Sequence, residues 1–186
     1  MESAILMAAG LGTRMRPLTD NTPKPLIKAA EKPLIETVID GLWQHGVREI
    51  YVVTGYLAEQ FDYLAEKYPG LILVNNEEYT VKNNISSIHA VCQYMGKTDC
   101  FICEADLYVS DPAIFDIPHD KSCYYGKYVA GHSDDWVFDM DGERIVRVGK
   151  GGDDTYNMVG ISYFKADDAA YIADAILKSD CGVGYL

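Results

Sequence analysis

The chain has 186 residues, 48% hydrophobic and 24% charged, with 16 Lys and Arg against 28 Asp and Glu, for a formal net charge of −12. That length suits one α/β-sized domain, since domains run to about 100–200 residues, and the apolar content excludes a disordered chain. A surface this acidic repels phosphate backbones and argues against a nucleic-acid partner, so any anionic ligand must find a local basic island.

Short apolar runs alternate with amphipathic stretches, the pattern of βαβ units on a parallel sheet. Ala4-Ile5-Leu6-Met7 reads as a first buried strand, followed by a long polar segment from Ala8 to Lys32. Pro33 suits a first helical position, with Leu34, Ile35, Val38, Ile39 and Leu42 on one face and Gly46 as the stop. Ile50 to Val53 predicts a second strand, Glu59 to Tyr68 a second helix ended by Pro69-Gly70, and Leu71 to Val74 a third strand. Ile85, Ile88, Cys92 and Met95 recur at helical spacing, so a third helix should begin near Asn84 or Ser86. Phe101-Ile102-Cys103 predicts the fourth strand, ending at Glu104-Ala105-Asp106.

Beyond Asp106 the signals turn antiparallel: Ser122 to Ala130, then Trp136-Val137-Phe138, a turn at 139–142, and a return over Arg144 to Val148. Val159 to Phe164 predicts a last strand and Asp167 to Lys178 a last helix. The expected fold is therefore α/β, a Rossmann-like doubly wound sheet, mixed but mostly parallel, with a small antiparallel extension. No apolar run reaches the ~20 residues that span a bilayer, and Met1-Glu2-Ser3 lacks the basic start of a secretory signal, so a cytoplasmic protein is expected, with no membrane insertion. The five cysteines, Cys92, Cys100, Cys103, Cys123 and Cys181, form an odd set without framework spacing, which predicts reduced thiols. Cys100 and Cys103 make a C-x-x-C, but inside an apolar run that reads as a buried strand, with no second Cys/His pair at zinc-ligand spacing.

The loop after the first strand runs Ala8-Ala9-Gly10-Leu11-Gly12-Thr13-Arg14-Met15-Arg16-Pro17-Leu18-Thr19. Open α/β sheets bind nucleotides beyond their strand carboxyl ends, and small residues there let a ligand approach the backbone. The loop is neither a Rossmann fingerprint, since Met15 stands where a third glycine should be, nor a Walker A run. From Arg14 to Lys32 five cations (Arg14, Arg16, Lys24, Lys28, Lys32) face two acids (Asp20, Glu31), a local balance of +3 in an acidic chain. Such an island suits a polyphosphate, whose oxygens take backbone N–H groups and Arg or Lys donors; a solvated basic loop is the plainer alternative.

The stretch G-L-G-T-R-M-R-P-L-T, followed by T-P-K-P-L at Thr22 to Leu26, resembles the signature of the nucleoside-triphosphate transferases that make nucleotide-sugars and CDP-alcohols. The likeness continues through Asp106 and more loosely to Phe164. Asn75 to Tyr79, Asn83 to Ser87, and Glu104 to Tyr108 are similar to the bacterial CTP:phosphocholine cytidylyltransferases of the LicC type. The resemblance implies the nucleotide-diphospho-sugar transferase-like sheet and a Mg²⁺-dependent reaction. In that reaction an acceptor phosphate, here phosphocholine, attacks the α-phosphorus of CTP and pyrophosphate leaves. It also implies one nucleotidyltransferase domain over 1–186, with nucleotide bound by about 1–110 and acceptor by about 111–186.

By the same resemblance, Ala8, Ala9, Gly10, Leu11, Gly12 and Thr13 wrap the nucleotide, Arg14 contacts the departing phosphates, and Lys24 stabilises charge growing between the joined phosphates. Pro23 and Pro25 bracket Lys24 and restrict its backbone. Arg16, Lys28 and Lys32 read as surface charges. Asp106, at a strand's carboxyl end, is the implied Mg²⁺ ligand, against the alternative of a turn cap before Asp111-Pro112. Relatives usually carry a second metal carboxylate late in the chain, so the expectation is that it lies past Leu186 or that Asp180 takes its place. Asn83 is a base-contact candidate, or with Asn84 and Ser86 a helix cap.

Eight of the 14 tyrosines follow Asp106. A quaternary ammonium is held by aromatic faces at about 0.5–2 kcal/mol each, so Trp136, preceded by Asp134-Asp135, leads as a choline-cage residue, with Tyr163 and Tyr185 after it; sheet core is the plainer role for any one tyrosine. The open alternatives are a sugar-1-phosphate, phosphoethanolamine or aminoalkylphosphonate acceptor, and a nucleotide-binding domain without turnover.

Overall fold

The computed structural model of the chain describes residues 2–82 and 84–179. In chain order its strands are β1 (Glu2–Met7), β2 (Lys28–Ala29), β3 (Lys32–Pro33), β4 (Glu49–Thr54), β5 (Leu71–Asn75), β6 (Asp99–Glu104), β7 (Cys123–Asp141) and β8 (Arg144–Phe164). Its α-helices are α1 (Leu34–His45), α2 (Asp62–Lys67), α3 (Ile85–Val91) and α4 (Ala166–Lys178). Six strands form one sheet in the order β5-β4-β1-β6-β8-β7, while β2 and β3 pair separately. The pairs β5–β4, β4–β1 and β1–β6 are parallel, and β6–β8 and β8–β7 antiparallel, which is the mixed, mostly parallel sheet that the sequence predicts.

Successive residues of a strand face opposite sides, so a strand buried on both faces must be apolar throughout. Ala4 and Leu6 face one layer with Ile50, Val52, Phe101 and Cys103, where α1 and α2 supply Ile35, Val38, Ile39, Leu42 and Leu64. Ile5 faces the other layer with Tyr51, Val53 and Cys100, under Val91, Ala169, Ala173 and Ile176 of α3 and α4. Each such aliphatic side chain contributes about 1.5–3 kcal/mol when fully buried, and the sum holds β1 at the centre of the sheet. Cys92, Cys100 and Cys103 are buried, and burial pushes the Cys100 thiol up to about 12, so the C-x-x-C is part of the core.

The helix α1 ends where Val47 N donates to Leu42 O (3.0 Å) and Gly46 N to Trp43 O (3.1 Å), the paired bonds of a Schellman stop. His45 at that end sits between Asp116 Oδ1 (2.9 Å) and Glu2 Oε2 (3.0 Å), which ties the helix to the amino end of β1.

Two predicted elements differ. The second helix is a 3₁₀ turn over Ala58–Phe61 followed by six α-helical residues, because Leu57 enters with φ 49° and Tyr68 already turns extended. The separate strands expected after Ser122 are two long bent strands, β7 and β8. Near the end of β7, Val137 and Phe138 pair with both limbs of β8, at 148–149 and at 156–157. The expected last strand, Val159 to Phe164, is the inner end of β8, whose Ile161 to Phe164 pair with β6. Among the described residues no helix is long and apolar enough to cross a membrane.

Candidate active site

The carboxyl ends of β1 and β6 lie side by side, Met7 opposite Glu104, and the chain leaves both into one cleft. Ala8, Ala9, Gly10, Gly12, Thr13, Arg14, Lys24 and Asp106 line it, together with Asn84 and Ser87 of the α3 segment and Glu104; its volume is about 280 Å³.

The loop after β1 is fastened at several points. Ala8 N donates to Val53 O (2.9 Å), and Tyr56 N to Ala9 O (3.2 Å), so β4 and the residues after it hold the start of the loop. Gly12 adopts φ +61°, and a Cβ there would stand 3.0 Å from Thr19 Cγ2 and 3.2 Å from Lys24 Cβ. Only glycine fits that turn without strain. Thr19 Oγ1 donates to Gly12 O (2.9 Å), and Tyr56 Oη reaches Thr19 O (3.0 Å) and Asp20 O (2.8 Å). Thr13–Met15 then forms a 3₁₀ turn that carries Arg14 to the cleft.

Lys24 opens a 3₁₀ turn between Pro23 and Pro25, which brings its ammonium onto the Asp106 carboxylate as an ion pair. Both partners keep part of their surface open, 32% for Lys24 and 24% for Asp106, so a ligand entering the cleft reaches both. Glu104, two residues before Asp106, also opens to the cleft. Desolvation holds its carboxyl above the ordinary range, the Asp106 charge adds to that rise, and Lys24 and Arg14 oppose it.

The α3 wall of the cleft rests on a buried amide. Asn76 Nδ2 donates to Ser86 Oγ (2.9 Å) and Ser87 Oγ (3.2 Å), while its Oδ1 accepts from Glu78 N (3.0 Å). Asn84 stands at the helix N-cap without a side-chain cap bond, and its side chain belongs to the cleft instead.

Of the residues singled out in the sequence, Leu11 is not among those lining the cleft, and Asn83, Asp180 and Tyr185 lie outside the described residues. Arg16 pairs with Asp20 (3.4 Å) and Lys32 with Asp40, both on the surface. Tyr163 is not a cage residue. It is 2% exposed, its hydroxyl lies within hydrogen-bond reach of Glu2 Oε1 (2.8 Å) and Asp99 Oδ2 (3.1 Å), and its ring stacks on His119 at 4.0 Å. Glu2 and Asp99 begin β1 and β6, so Tyr163 sits at the edge opposite the cleft, where antiparallel β8 returns. Trp136 is 39% exposed on the bent part of β7, paired with Lys150, and does not line the cleft. Sequence reasoning gave no role to Glu104, the last residue of β6, or to Ser87.

Residues 4–120 match the family described as the MobA-like NTP transferase domain. The chain is 58% identical over 172 residues to the 2-aminoethylphosphonate cytidylyltransferase of Lancefieldella rimae, covering 92% of this chain and 70% of that protein. It is 37% identical over 180 residues to the choline-phosphate cytidylyltransferase of Streptococcus pneumoniae, covering 95% and 76%. The solved CTP:phosphocholine cytidylyltransferase of Streptococcus pneumoniae superposes with a TM-score of 0.85 at 35% identity, over 95% of this chain and 76% of that one.

Proposed function

Because the chain belongs to the MobA-like NTP transferase family and is a nucleotidyltransferase of the cytidylyltransferase kind, we propose that it transfers the cytidylyl group of CTP to a small acceptor whose phosphonate or phosphate is joined to a short amino-alkyl chain. An acceptor oxygen attacks the α-phosphorus, the bond to the bridging oxygen of the β-phosphate breaks, and pyrophosphate leaves. The observation that carries this reading is the convergence of Arg14, Lys24 and Asp106, from three separate segments, on one glycine-lined cleft at the carboxyl edge of the sheet.

Transfers at phosphorus depend mainly on positioning and neutralisation of charge. The exposed backbone at Gly10 and the turn at Gly12 admit the triphosphate, with Arg14 on the two phosphates that depart. Lys24 stabilises the negative charge that grows between the joined phosphates. In this division of labour the first 110 residues take the nucleotide, and the later ones complete the acceptor site. The donors at the strand end are oxygen atoms, and among the described residues no group of three or more His, Cys, Asp or Glu gathers. That set fits Mg²⁺, which takes one or two carboxylates and completes its shell with water and phosphate. Asp106 is the residue that would hold it, and the ion would supply further neutralisation of the triphosphate.

The relative at 58% identity favours 2-aminoethylphosphonate as acceptor. Phosphocholine is the second reading, favoured by the relative at 37% and by Trp136, half-exposed and next to Asp135. Pyrophosphate release on mixing CTP, or each of the other three nucleoside triphosphates, and Mg²⁺ with 2-aminoethylphosphonate, phosphocholine, phosphoethanolamine or glucose-1-phosphate tests the assignment. Release with an amino-alkyl acceptor is expected; release with the sugar phosphate alone, or with another nucleotide alone, overturns it.

A further inference from the structure

Glu104 is electrostatically misplaced in a cleft that admits a triphosphate. Asp106 has Lys24 for a partner, whereas among the described residues no hydrogen bond or ion pair is made to the Glu104 carboxylate. A carboxylate left open beside phosphates repels them unless a cation meets it.

Its placement is nonetheless built. Gly160 of β8 adopts φ +78°, and a Cβ there would stand 3.1 Å from Glu104 Oε2 and 3.2 Å from Glu104 Cδ. The glycine therefore lets the carboxyl lie against the β8 backbone. Glu104 also lines a second cavity of about 360 Å³, which shares Met7, Asn84 and Glu104 with the nucleotide cleft and continues between Ile88, Met158 and Ile161. The result is a mostly apolar slot opening off the cleft, with one carboxylate at the junction. Of its aromatic rings, Tyr124 is packed edge-on against Phe164 with centroids 5.8 Å apart.

Resting on the cytidylyltransferase reading, we propose that Glu104 receives the ammonium group of the acceptor, and that the acceptor is accordingly a primary amine carried on a short alkyl phosphonate or phosphate. A primary ammonium offers three N–H donors to a carboxylate. A trimethylammonium offers none and depends on aromatic faces instead. The two carbons of an aminoethyl chain then lie at the mouth of the slot, while the phosphonate stays in the cleft beside Asp106.

The test compares 2-aminoethylphosphonate with ethylphosphonate, which lacks the amine, in the full protein and in Glu104→Gln. A hydrogen bond to a charged group corresponds to about 10- to 100-fold in affinity. Glu104→Gln should lose about that factor in kcat/KM for the amine acceptor, through KM. The ethylphosphonate value and the CTP KM should change by less than about 3-fold, and Glu104→Asp should keep part of the amine preference. Equal losses for both acceptors, a raised CTP KM, or weakened Mn²⁺ binding assigns Glu104 to the nucleotide or metal and overturns the proposal. Equal use of phosphocholine and 2-aminoethylphosphonate by the unaltered protein overturns it as well. Calorimetric titration of 2-aminoethylphosphonate into protein loaded with α,β-methylene CTP and Mg²⁺ separates this from the function. Binding by the parent protein and not by Glu104→Gln supports the role of Glu104 even without turnover; no binding by either, or equal binding by both, refutes it. Absence of pyrophosphate with every acceptor defeats the function reading alone. Thermal melting of both variants within a few degrees of the parent shows that they fold.

Discussion

Replacing Lys24 with Met should do two opposite things, because the ammonium sits on the proposed metal carboxylate. Two unit charges about 4 Å apart interact by about 4 kcal/mol at an effective dielectric of 20. Lys24 and Asp106 retain 32% and 24% of their side-chain surface, so solvent screens the pair and about 2 kcal/mol is a fair remainder. Asp106 freed of its partner should therefore bind a divalent ion about 30-fold more tightly in the absence of nucleotide. Titration of Mn²⁺ followed by electron paramagnetic resonance reads that change directly, with no turnover needed. Catalysis should move the other way: loss of one charge-stabilising donor lowers kcat by about 100- to 1,000-fold, with the CTP KM held within a few-fold. Unchanged Mn²⁺ affinity in K24M would show that the ion pair does not compete with metal, and an unchanged kcat would remove Lys24 from the reaction.

Asn76→Ala leaves Ser86 and Ser87 without their buried donor and Glu78 N without its acceptor, a loss of about 2–3 kcal/mol by urea denaturation, with a raised CTP KM because Ser87 lines the cleft. Asp99 is held below its ordinary 3.8 chiefly by its bond to Lys165, then by Ala166 N and the Tyr163 hydroxyl, against desolvation. Its folded value lies below its unfolded one, so the stability it contributes is fully present above about pH 4 and is lost as pH falls through the folded value. Asp99→Asn should therefore cost about 1–2 kcal/mol at pH 7 and progressively less toward pH 2, as denaturation at a series of pH values shows. Gly160→Ala combines a left-handed backbone with a Cβ 3.1 Å from the Glu104 carboxyl, so it should cost about 1–2 kcal/mol of stability and raise the acceptor KM, with the CTP KM unchanged.

The parallel half of the sheet was legible because its physics is local. Four apolar runs bounded by turn residues admit few alternatives to strands buried on both faces, and β1, β4, β5 and β6 fall within a residue or two of them. The helix over Leu34–His45 follows from a periodic apolar stripe and a glycine stop. The run from Glu59 to Tyr68 carries the same periodicity but fewer than three turns, and the left-handed entry at Leu57 costs it the first of them. The antiparallel part is harder to read because its strands are half-exposed and polar. Near the end of β7, Val137 and Phe138 are the buried residues, and nothing in the nearby sequence reports that they have strands on both sides.

The site divides along the same line. The loop from Ala8 to Arg14 and the Pro-bracketed Lys24 were visible because their residue types are unusual in place: small residues and cations in a chain of net charge −12. What brings Lys24 onto Asp106 is the return of the chain through 82 residues to the strand beside β1, which only the sheet order reveals. Tyr163 misled because aromatic enrichment cannot distinguish the two edges of a sheet. The register of β8 on β6 sends that ring toward Glu2 and Asp99, whereas Gly160, three residues earlier, meets Glu104. Glu104 escaped notice for the opposite reason, since one glutamate at a strand end is ordinary until the strand beside it is known. A strongly acidic chain that brings Arg14 and Lys24 together at the carboxyl edge of the sheet favours a triphosphate there by contrast, and on the proposed reading Glu104, the carboxylate beside them without a cation of its own, favours an acceptor that brings a positive charge.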